Sequence, residues 1–169
     1  MALDKITVEK IKTLHPKIRN EVLELYSHVN EKLLGKGVRL RFAYAYRSPE
    51  EQNQLFNQKP KVTNAKAWQS IHQYGLAFDI VLLYDLDNDG NFETASWDIK
   101  KDFDKDGIAD WMEVTNYFKS KGYEWGGDWK SFKDAPHFQK VFGLTWQQMK
   151  SKIDNKDYIL ENGIKYIKI

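Results

Sequence analysis

The chain has 169 residues, of which 41% are apolar and 30% charged, and its formal net charge at pH 7 is only +2. This length and composition predict one soluble globular domain with a core of its own. So small a net charge gives no sign of a nucleic-acid or membrane partner. There is no cysteine, which excludes disulfides, thiolate metal sites and a cysteine nucleophile. Any transition-metal site must therefore use histidine and carboxylate.

The N-terminal segment, MALDKITVEKIKTLHPK, is amphipathic and charged. It lacks the apolar core of a secretory signal, and no stretch approaches the ~18 apolar residues of a membrane span. We therefore expect a protein that is made in the cytoplasm without a signal peptide and inserts into no membrane. Any action outside the cytoplasm would then require release or export by another factor.

The apolar pattern of the first third predicts two helices, a strand and a third helix. A short helix is predicted at residues 7–14, and a clear one from Lys17 to Leu34 with Gly35 as its C-cap. Val38 to Tyr44 alternates as a strand does. Ser48-Pro49-Glu50-Glu51 has the N-cap, the early proline and the capping-box carboxylate of a helix that runs to about Gln58.

The rest of the chain predicts short elements separated by polar loops, at residues 59–70, 85–110 and 124–136. The predicted strands are Ala77–Tyr84, His137–Val141 and a hairpin over Tyr158–Ile169 that turns at Asn162-Gly163. The predicted helices are Trp111–Lys121, ended by Gly122, and Thr145–Ile153, which begins with a second capping box. This mixed order predicts one α+β domain over residues 1–169, a small antiparallel sheet flanked by helices.

Two separated segments contain the residue types of a catalytic zinc site. They are Ser70-Ile-His72-Gln-Tyr-Gly75-Leu-Ala77-Phe-Asp79 and Asp134-Ala-Pro-His137-Phe138. Catalytic zinc takes three protein ligands and leaves one position open. Alternation along the strand turns Asp79 away from its apolar neighbours, and His137 opens another strand, so two adjacent strands could present all three ligands. The alternative for each histidine is a surface or satisfied core residue, which is how His15 and His28 are interpreted.

These two segments, S-x-H-x-x-G-x-A-x-D and D-x-x-H-F, resemble the zinc peptidases of peptidoglycan. That family includes D-alanyl-D-alanine carboxypeptidases, D-Ala-D-Ala dipeptidases and the L-alanyl-D-glutamate peptidases of phage endolysins. The resemblance extends over roughly residues 20–145 and includes Arg47-Ser-Pro-Glu-Glu-Gln52 and Trp125-Gly-Gly-Asp-Trp129. It implies the zinc ligands His72, Asp79 and His137, the general base Asp134, and Arg47 as the group that stabilises the tetrahedral intermediate.

The chemistry of peptide hydrolysis fits these implied roles. A carboxylate at Asp134 can take a proton from water and return it to the leaving amine; the alternative is a turn residue. Arg47 can act where negative charge develops; the alternative is a salt bridge at a helix start. Gln52 supports Arg47, contacts substrate or makes a structural hydrogen bond. Ser70 is predicted to orient a ligand, and Trp129 to line the groove or pack in the core.

An acidic insertion at residues 85–113 separates the two zinc segments. Its second half fits the EF-hand pattern D-x-D-x-D-G-x5-E, which predicts calcium bound by carboxylates and one carbonyl. Calcium there could order a wall of the groove and control activity; the alternative is an acidic loop held by helix N-capping. The stretch Asp85–Glu93 shares only the first half of the pattern and is interpreted as a solvated turn. The predicted calcium ligands are Asp102, Asp104, Asp106, Ile108, Asp110 and Glu113.

These observations predict a monomeric zinc peptidase that cuts the L-Ala-D-Glu or D-Ala-D-Ala bond in the stem peptides of peptidoglycan. A phage-type lysin released by a partner pore, or a secreted effector, would have no signal peptide of its own. The enzymatic alternative is a D-alanyl-D-alanine carboxypeptidase, which needs a pocket for a terminal carboxylate. The non-enzymatic alternative is a wall-binding or calcium-binding module, against which the ligand set together with Asp134 argues.

Overall fold

Residues 3–169, the part of the chain that the computed structural model describes, form an α+β fold. The strands are β1 (Val38–Tyr44), β2 (Ala77–Tyr84), β3 (Thr94–Ser96), β4 (Glu124–Trp125), β5 (His137–Gln139), β6 (Tyr158–Glu161) and β7 (Ile164–Ile167). The helices are α1 (Lys5–Lys12), α2 (Pro16–His28), α3 (Pro49–Asn57), α4 (Asp110–Ser120) and α5 (Trp146–Asp154). The predicted fold class is confirmed.

The main sheet is antiparallel and has the strand order β1-β2-β5-β4. Strand β2 is central: β1 pairs along one edge, while β5 and β3 pair with its two ends along the other. Strands β6 and β7 form a separate hairpin, as predicted. Its turn residues Asn162 and Gly163 have φ angles of 51° and 78°, which is the left-handed backbone that a type I′ turn requires.

Capping residues place two helices where the sequence predicts them. The Ser48 hydroxyl accepts the Glu51 amide at 3.1 Å, and the Glu51 carboxylate accepts the Ser48 amide at 2.8 Å. The same reciprocal pair links Thr145 and Gln148 at the start of α5. Each capping box satisfies two backbone donors that a helix N-terminus otherwise leaves unpaired.

The long second helix departs from its predicted end. The α-helix ends at His28, and the chain continues as one π-helical turn over Val29–Leu33. The side chain of Asn30 explains the change, because its amide donates to the Tyr26 carbonyl at 3.2 Å and its oxygen accepts the Leu40 amide at 2.9 Å. A side chain that takes a helix carbonyl competes with the regular backbone ladder, and here it fastens the helix to β1.

Gly35 does not cap this helix with a left-handed backbone as predicted. Its φ is not positive, and the residue before it, Leu34, is extended. A Cβ atom at Gly35 would overlap the carboxylate of Asp104. Close packing against the acidic insertion therefore explains this glycine.

The core lies on one face of the sheet, against α1, α2 and α4. Aromatic rings form its centre: Phe42 stacks on Phe78 with centroids 4.5 Å apart, and Phe118 meets Phe78 edge-on at 5.4 Å. Because strand residues alternate between faces, burial of Phe78 and Ile80 in this core turns the side chain of Asp79 to the opposite face. The core thereby positions one predicted metal ligand.

Some boundaries differ from those predicted, and two strands were missed. Strand β3 lies inside the predicted loop 85–110, and β4 inside the predicted loop 124–136. Strands of two or three residues are too short to show a period-two pattern. In residues 3–169 we find no helix with both the length and the apolar character needed to cross a membrane.

Candidate active site

The side chains of His72, Asp79 and His137 converge beside the central strand. Asp79 lies directly opposite His137 in the β2–β5 register, and His72 comes from a 3-10 turn just before β2. Asp79 Oδ1 is 3.3 Å from His72 Nε2 and 3.1 Å from His137 Nδ1. One ligand atom from each residue lies within 4.8 Å of the other two. Two nitrogens and a carboxylate oxygen so placed suit a catalytic zinc ion.

A backbone carbonyl fixes the orientation of the His72 ring. His72 Nδ1 is 2.7 Å from the Ala45 carbonyl oxygen. Since a carbonyl can only accept, Nδ1 carries the hydrogen and the lone pair of Nε2 is left for a metal. Gly75 ends the turn with a φ of 67°, and a Cβ there would crowd the His15 backbone. The Ser70 hydroxyl accepts the His72 amide at 3.4 Å at the start of the same turn.

The histidines keep Asp79 ionised. Burial opposes its ionisation, but the charge and hydrogen bonds of His72 and His137 outweigh burial and hold the pKa of Asp79 well below its usual value. For His137, burial lowers the pKa and the hydrogen bond to Asp79 raises it, with a net upward shift. A metal ligand must be deprotonated, so the ionised Asp79 is ready to bind, and binding would displace the proton that His137 shares with it.

Asp134 lies at the edge of this cluster. Its carbonyl accepts the His137 amide at 3.1 Å, and its amide donates to the Gly126 carbonyl at 3.0 Å. A Cβ at Gly126 would overlap the Asp134 backbone, so this glycine permits the close approach. Burial, followed by the charge of Asp79, raises the pKa of Asp134, while both site histidines and Arg47 lower it. A raised pKa makes a carboxylate a better proton acceptor.

Arg47 is held in place by a buried amide network. Its Nη1 donates to Gln52 Oε1 at 3.1 Å, and its backbone amide donates to the His72 carbonyl at 3.3 Å. Gln52 is 0% exposed and donates to the Ala65 carbonyl at 2.7 Å. Gln73 donates to the same Gln52 oxygen at 3.2 Å. No carboxylate lies within ion-pair distance of Arg47 in residues 3–169, so its charge remains available to a substrate.

Aromatic side chains border the cluster. The Trp129 ring lies 5.2 Å from the His137 ring, measured between centroids. Tyr44, which sequence reasoning missed, pairs with Asp79 in the β1–β2 register, is 56% exposed, and has the Arg47 guanidinium 5.2 Å from its ring centre. The irregular register at the end of β1 hides this placement from a sequence pattern, because the pairing shifts between Phe42 and Tyr44.

The acidic insertion brings its carboxylates into two overlapping groups. One consists of Asp102, Asp104 and Asp110, the other of Asp104, Asp106 and Glu113. Asp110 is 0% exposed, and its carboxylate accepts the Tyr84 hydroxyl at 2.8 Å and the Phe103 amide at 3.1 Å. These bonds fix the insertion to β2. A third group, Asp85, Asp87 and Asp89, lies in the first half of the insertion.

Two carboxylate oxygens in the second half of the acidic insertion, residues 102–113, are buried without a hydrogen-bond donor. Asp102 Oδ2 accepts the Gly107 amide at 3.0 Å, but Asp102 Oδ1 and Glu113 Oε2 are inaccessible and have no partner in the described part of the chain. Burial and the charges of Asp106 and Asp104 raise the pKa of Glu113 to about 7. Buried carboxylate oxygens are costly unless they are paired.

The chain is similar to known proteins over the segment that contains this site. Residues 63–140 match the family model described as D-alanyl-D-alanine carboxypeptidase. The peptidoglycan L-alanyl-D-glutamate endopeptidase CwlK of Bacillus subtilis (strain 168) is 40% identical over 111 residues, 63% of each chain. The chain thus matches less than two thirds of that relative's length.

The fold is similar to that of a solved structure. The crystal structure of the Serratia marcescens L-Ala D-Glu endopeptidase ChiX superimposes with a TM-score of 0.54, at 24% identity, over 84% of this chain and 91% of that one. At this identity the likeness shows the fold alone. It agrees with the α+β architecture of residues 3–169.

Proposed function

We propose that the chain is a zinc-dependent peptidase of peptidoglycan, related to the family whose model, described as D-alanyl-D-alanine carboxypeptidase, matches residues 63–140. The convergence of His72, Asp79 and His137 beside Asp134 is the observation that carries the proposal. The bond we assign is L-alanyl-D-glutamate, because the curated relative has that activity in its name. Because one chain supplies all of these residues, we propose that the protein acts as a monomer. Its substrate places this action at the cell wall.

The side chains have separate tasks in hydrolysis. Zinc, when bound by His72, Asp79 and His137, supplies Lewis acidity, which activates water and polarises a peptide carbonyl. Asp134 accepts the proton that the attacking water loses and delivers it to the departing amine. Arg47 donates hydrogen bonds to the oxygen on which negative charge develops. Gln52 holds the guanidinium, Ser70 starts the turn that presents His72, and Trp129 lines the groove beside His137.

The products of peptidoglycan digestion identify the bond. Cleavage between L-alanine and D-glutamate exposes a new D-glutamyl amino terminus and leaves L-alanine on the glycan. A D-alanyl-D-alanine carboxypeptidase would instead release free D-alanine from pentapeptide stems. We expect mass spectrometry of digested muropeptides to show the first products. Release of D-alanine alone would support the carboxypeptidase, and the absence of any product would favour a non-catalytic wall-binding module.

Replacing Arg47 by alanine should lower kcat more than it raises KM. The reason is that its hydrogen bonds strengthen as charge develops in the transition state. Steady-state kinetics on a purified muropeptide measure both constants. Arg39→Ala is the control, since Arg39 lies on β1 with its guanidinium against Phe92 rather than in the site. A change in KM alone would reassign Arg47 to ground-state substrate binding.

We also propose a calcium site in the second half of the acidic insertion, residues 102–113. The unpartnered oxygens Asp102 Oδ1 and Glu113 Oε2 support it, because both are buried among further carboxylates. A bound cation would neutralise this repulsion. The Asp110 carboxylate already accepts hydrogen bonds from the Tyr84 hydroxyl and the Phe103 amide, so among the proposed ligands it has the least capacity left for a cation. The full proposed set is Asp102, Asp104, Asp106, the Ile108 carbonyl, Asp110 and Glu113.

Calcium should stabilise the protein, and Glu113→Gln should remove most of this effect. Binding to the folded state alone adds about 2.7 kcal/mol at a hundredfold excess over Kd. The measurement is the melting temperature of chelator-treated, zinc-restored protein with and without millimolar calcium. Glu93→Gln is the matched control, since Glu93 lies exposed in the first half of the insertion. An unchanged melting temperature in the wild type would leave residues 102–113 as a solvated acidic loop.

A further inference from the structure

Three polar side chains form a row that leads from the zinc site to the edge of the sheet. Residues two apart on a strand point to the same face, so His137 and Gln139 share a face of β5. Glu124 on β4 lies directly opposite Gln139 in the antiparallel register, where cross-strand side chains meet. His137 Nε2 is 2.8 Å from Gln139 Oε1, and Gln139 Nε2 is 2.8 Å from Glu124 Oε2.

The far end of this row determines where each hydrogen lies. An ionised glutamate only accepts hydrogen bonds, so the amide nitrogen of Gln139 must face Glu124. The amide oxygen of Gln139 therefore faces His137, and because that oxygen also only accepts, His137 Nε2 must carry the hydrogen. The hydrogen that joins His137 Nδ1 to Asp79 Oδ1, 3.1 Å away, is then the one that a metal would displace, and the neutral ring would offer its Nδ1 lone pair to that metal.

We propose that Gln139, held by Glu124, is a positioning residue that selects the metal-binding tautomer of His137 and orients its ring. This inference rests on the proposed zinc site. Metal-bound histidines commonly donate their second N–H to an acceptor, and loss of that acceptor typically costs 10–100-fold in metal affinity or activity. The Ala45 carbonyl does this for His72. Gln139 accepts the corresponding hydrogen bond from His137, and its amide is oriented for this by its own hydrogen bond to Glu124.

The hydrogen bond from Gln139 to Glu124 explains how a glutamine, whose amide has both a donor and an acceptor, can present only its acceptor to His137. An amide offers a donor on one side and an acceptor on the other, so an unanchored Gln139 could present either group to His137. Presenting the donor would place an N–H against Nε2 and favour the tautomer that protonates Nδ1, which cannot bind a metal through that atom. Glu124 is exposed and Gln139 half-buried, so the anchor is at the surface while the selected nitrogen is inside the site.

Zinc affinity of the intact protein tests this inference. We expect Gln139→Leu to weaken zinc binding about 10–100-fold in competition with a chelator. Gln139→Glu together with Glu124→Gln should bind nearly as well as the wild type, because the amide at position 124 can then donate to the carboxylate at position 139, which accepts from His137. Glu124→Ala should give a smaller loss, since the amide is then free to turn. Gln147→Leu makes the same chemical change at an exposed position of α5 and should have no effect.

The outcomes separate this inference from the proposed function. A wild-type protein that binds no zinc contradicts both. A Gln139→Leu protein that binds zinc as tightly as the wild type contradicts the positioning role alone. So does a protein with both Gln139→Glu and Glu124→Gln that binds zinc as weakly as Gln139→Leu. Melting of the metal-free variants shows whether each is folded. Should Gln139→Leu fail to fold, the comparison of Glu124→Ala with the wild type decides, and equal affinities would overturn the inference.

Discussion

Replacing Asp134 by asparagine should reduce kcat on a muropeptide substrate on the order of 10²-fold or more while leaving zinc content and fold intact. The amide has nearly the shape of the carboxylate but cannot accept the proton that the attacking water loses. Asp134 is in position for this transfer because the short loop before β5 brings it within electrostatic range of Asp79, His137 and Arg47. Turnover and metal content of the same preparation measure the two parts of the expectation.

The matched control is Asp128→Asn. Asp128 is exposed on the same loop, where it forms an ion pair with Lys119, so its loss removes a carboxylate without touching the proposed machinery. Its turnover should equal that of the wild type. Near-normal turnover in Asp134→Asn would mean that another group takes the proton, and the role assigned to Asp134 would be abandoned.

The second large effect concerns the metal. Wild-type protein should contain about one zinc per chain, and His72→Ala or His137→Ala should abolish both zinc binding and peptide hydrolysis. Each substitution leaves only two of the three proposed ligands, whose ligand atoms lie within 4.8 Å of one another. Elemental analysis after dialysis gives the stoichiometry, and a muropeptide digest gives the activity.

His28→Ala is the control for the loss of an imidazole. His28 ends α2 and stacks on Tyr117 with ring centroids 4.8 Å apart, so it should cost some packing but no zinc. Full zinc occupancy in both His72→Ala and His137→Ala would refute the ligand assignment, whatever the activity of the two variants.

Features encoded by local chemistry were predictable from the sequence. The capping boxes at Ser48 and Thr145 start helices in the structure because each satisfies backbone donors within four residues. The buried strand Ala77–Tyr84 was predicted with the bounds that the structure gives it, since eight largely apolar residues need no tertiary context to be recognised. The hairpin turn at Asn162-Gly163 follows in the same way from residues that tolerate positive φ.

Features that depend on pairing between distant segments were not predictable. The π-helical turn at Val29–Leu33 arises because Asn30 bonds to Leu40 on β1, a partner that no helical period reveals. Strand β4 exists because it pairs with β5. Its two residues carry no pattern of their own.

In the candidate site, too, the side chains with a local spacing pattern were predictable and their distant hydrogen-bond partners were not. The spacing of His72, Asp79 and His137, together with the family resemblance of their two segments, was enough to propose them as ligands, because strand alternation predicts which side chains face together. The groups that hold them come from elsewhere: the Ala45 carbonyl follows β1, and Gln139 needs Glu124 across the sheet. Sequence reasoning proposed the ligands and named Ser70 as one support, but it could not name the Ala45 carbonyl or Gln139, since a hydrogen bond to a backbone carbonyl or across a register leaves no motif.

Restoration of activity by zinc tests the central claim most directly. Wild-type protein freed of metal by a chelator should release no new D-glutamyl termini from purified peptidoglycan. Added zinc should restore release in proportion until about one equivalent per chain is bound, after which the rate should no longer rise. Hydrolysis by the metal-free protein, or no hydrolysis at full zinc occupancy of His72, Asp79 and His137, would contradict the proposal that this chain is a zinc-dependent peptidoglycan peptidase.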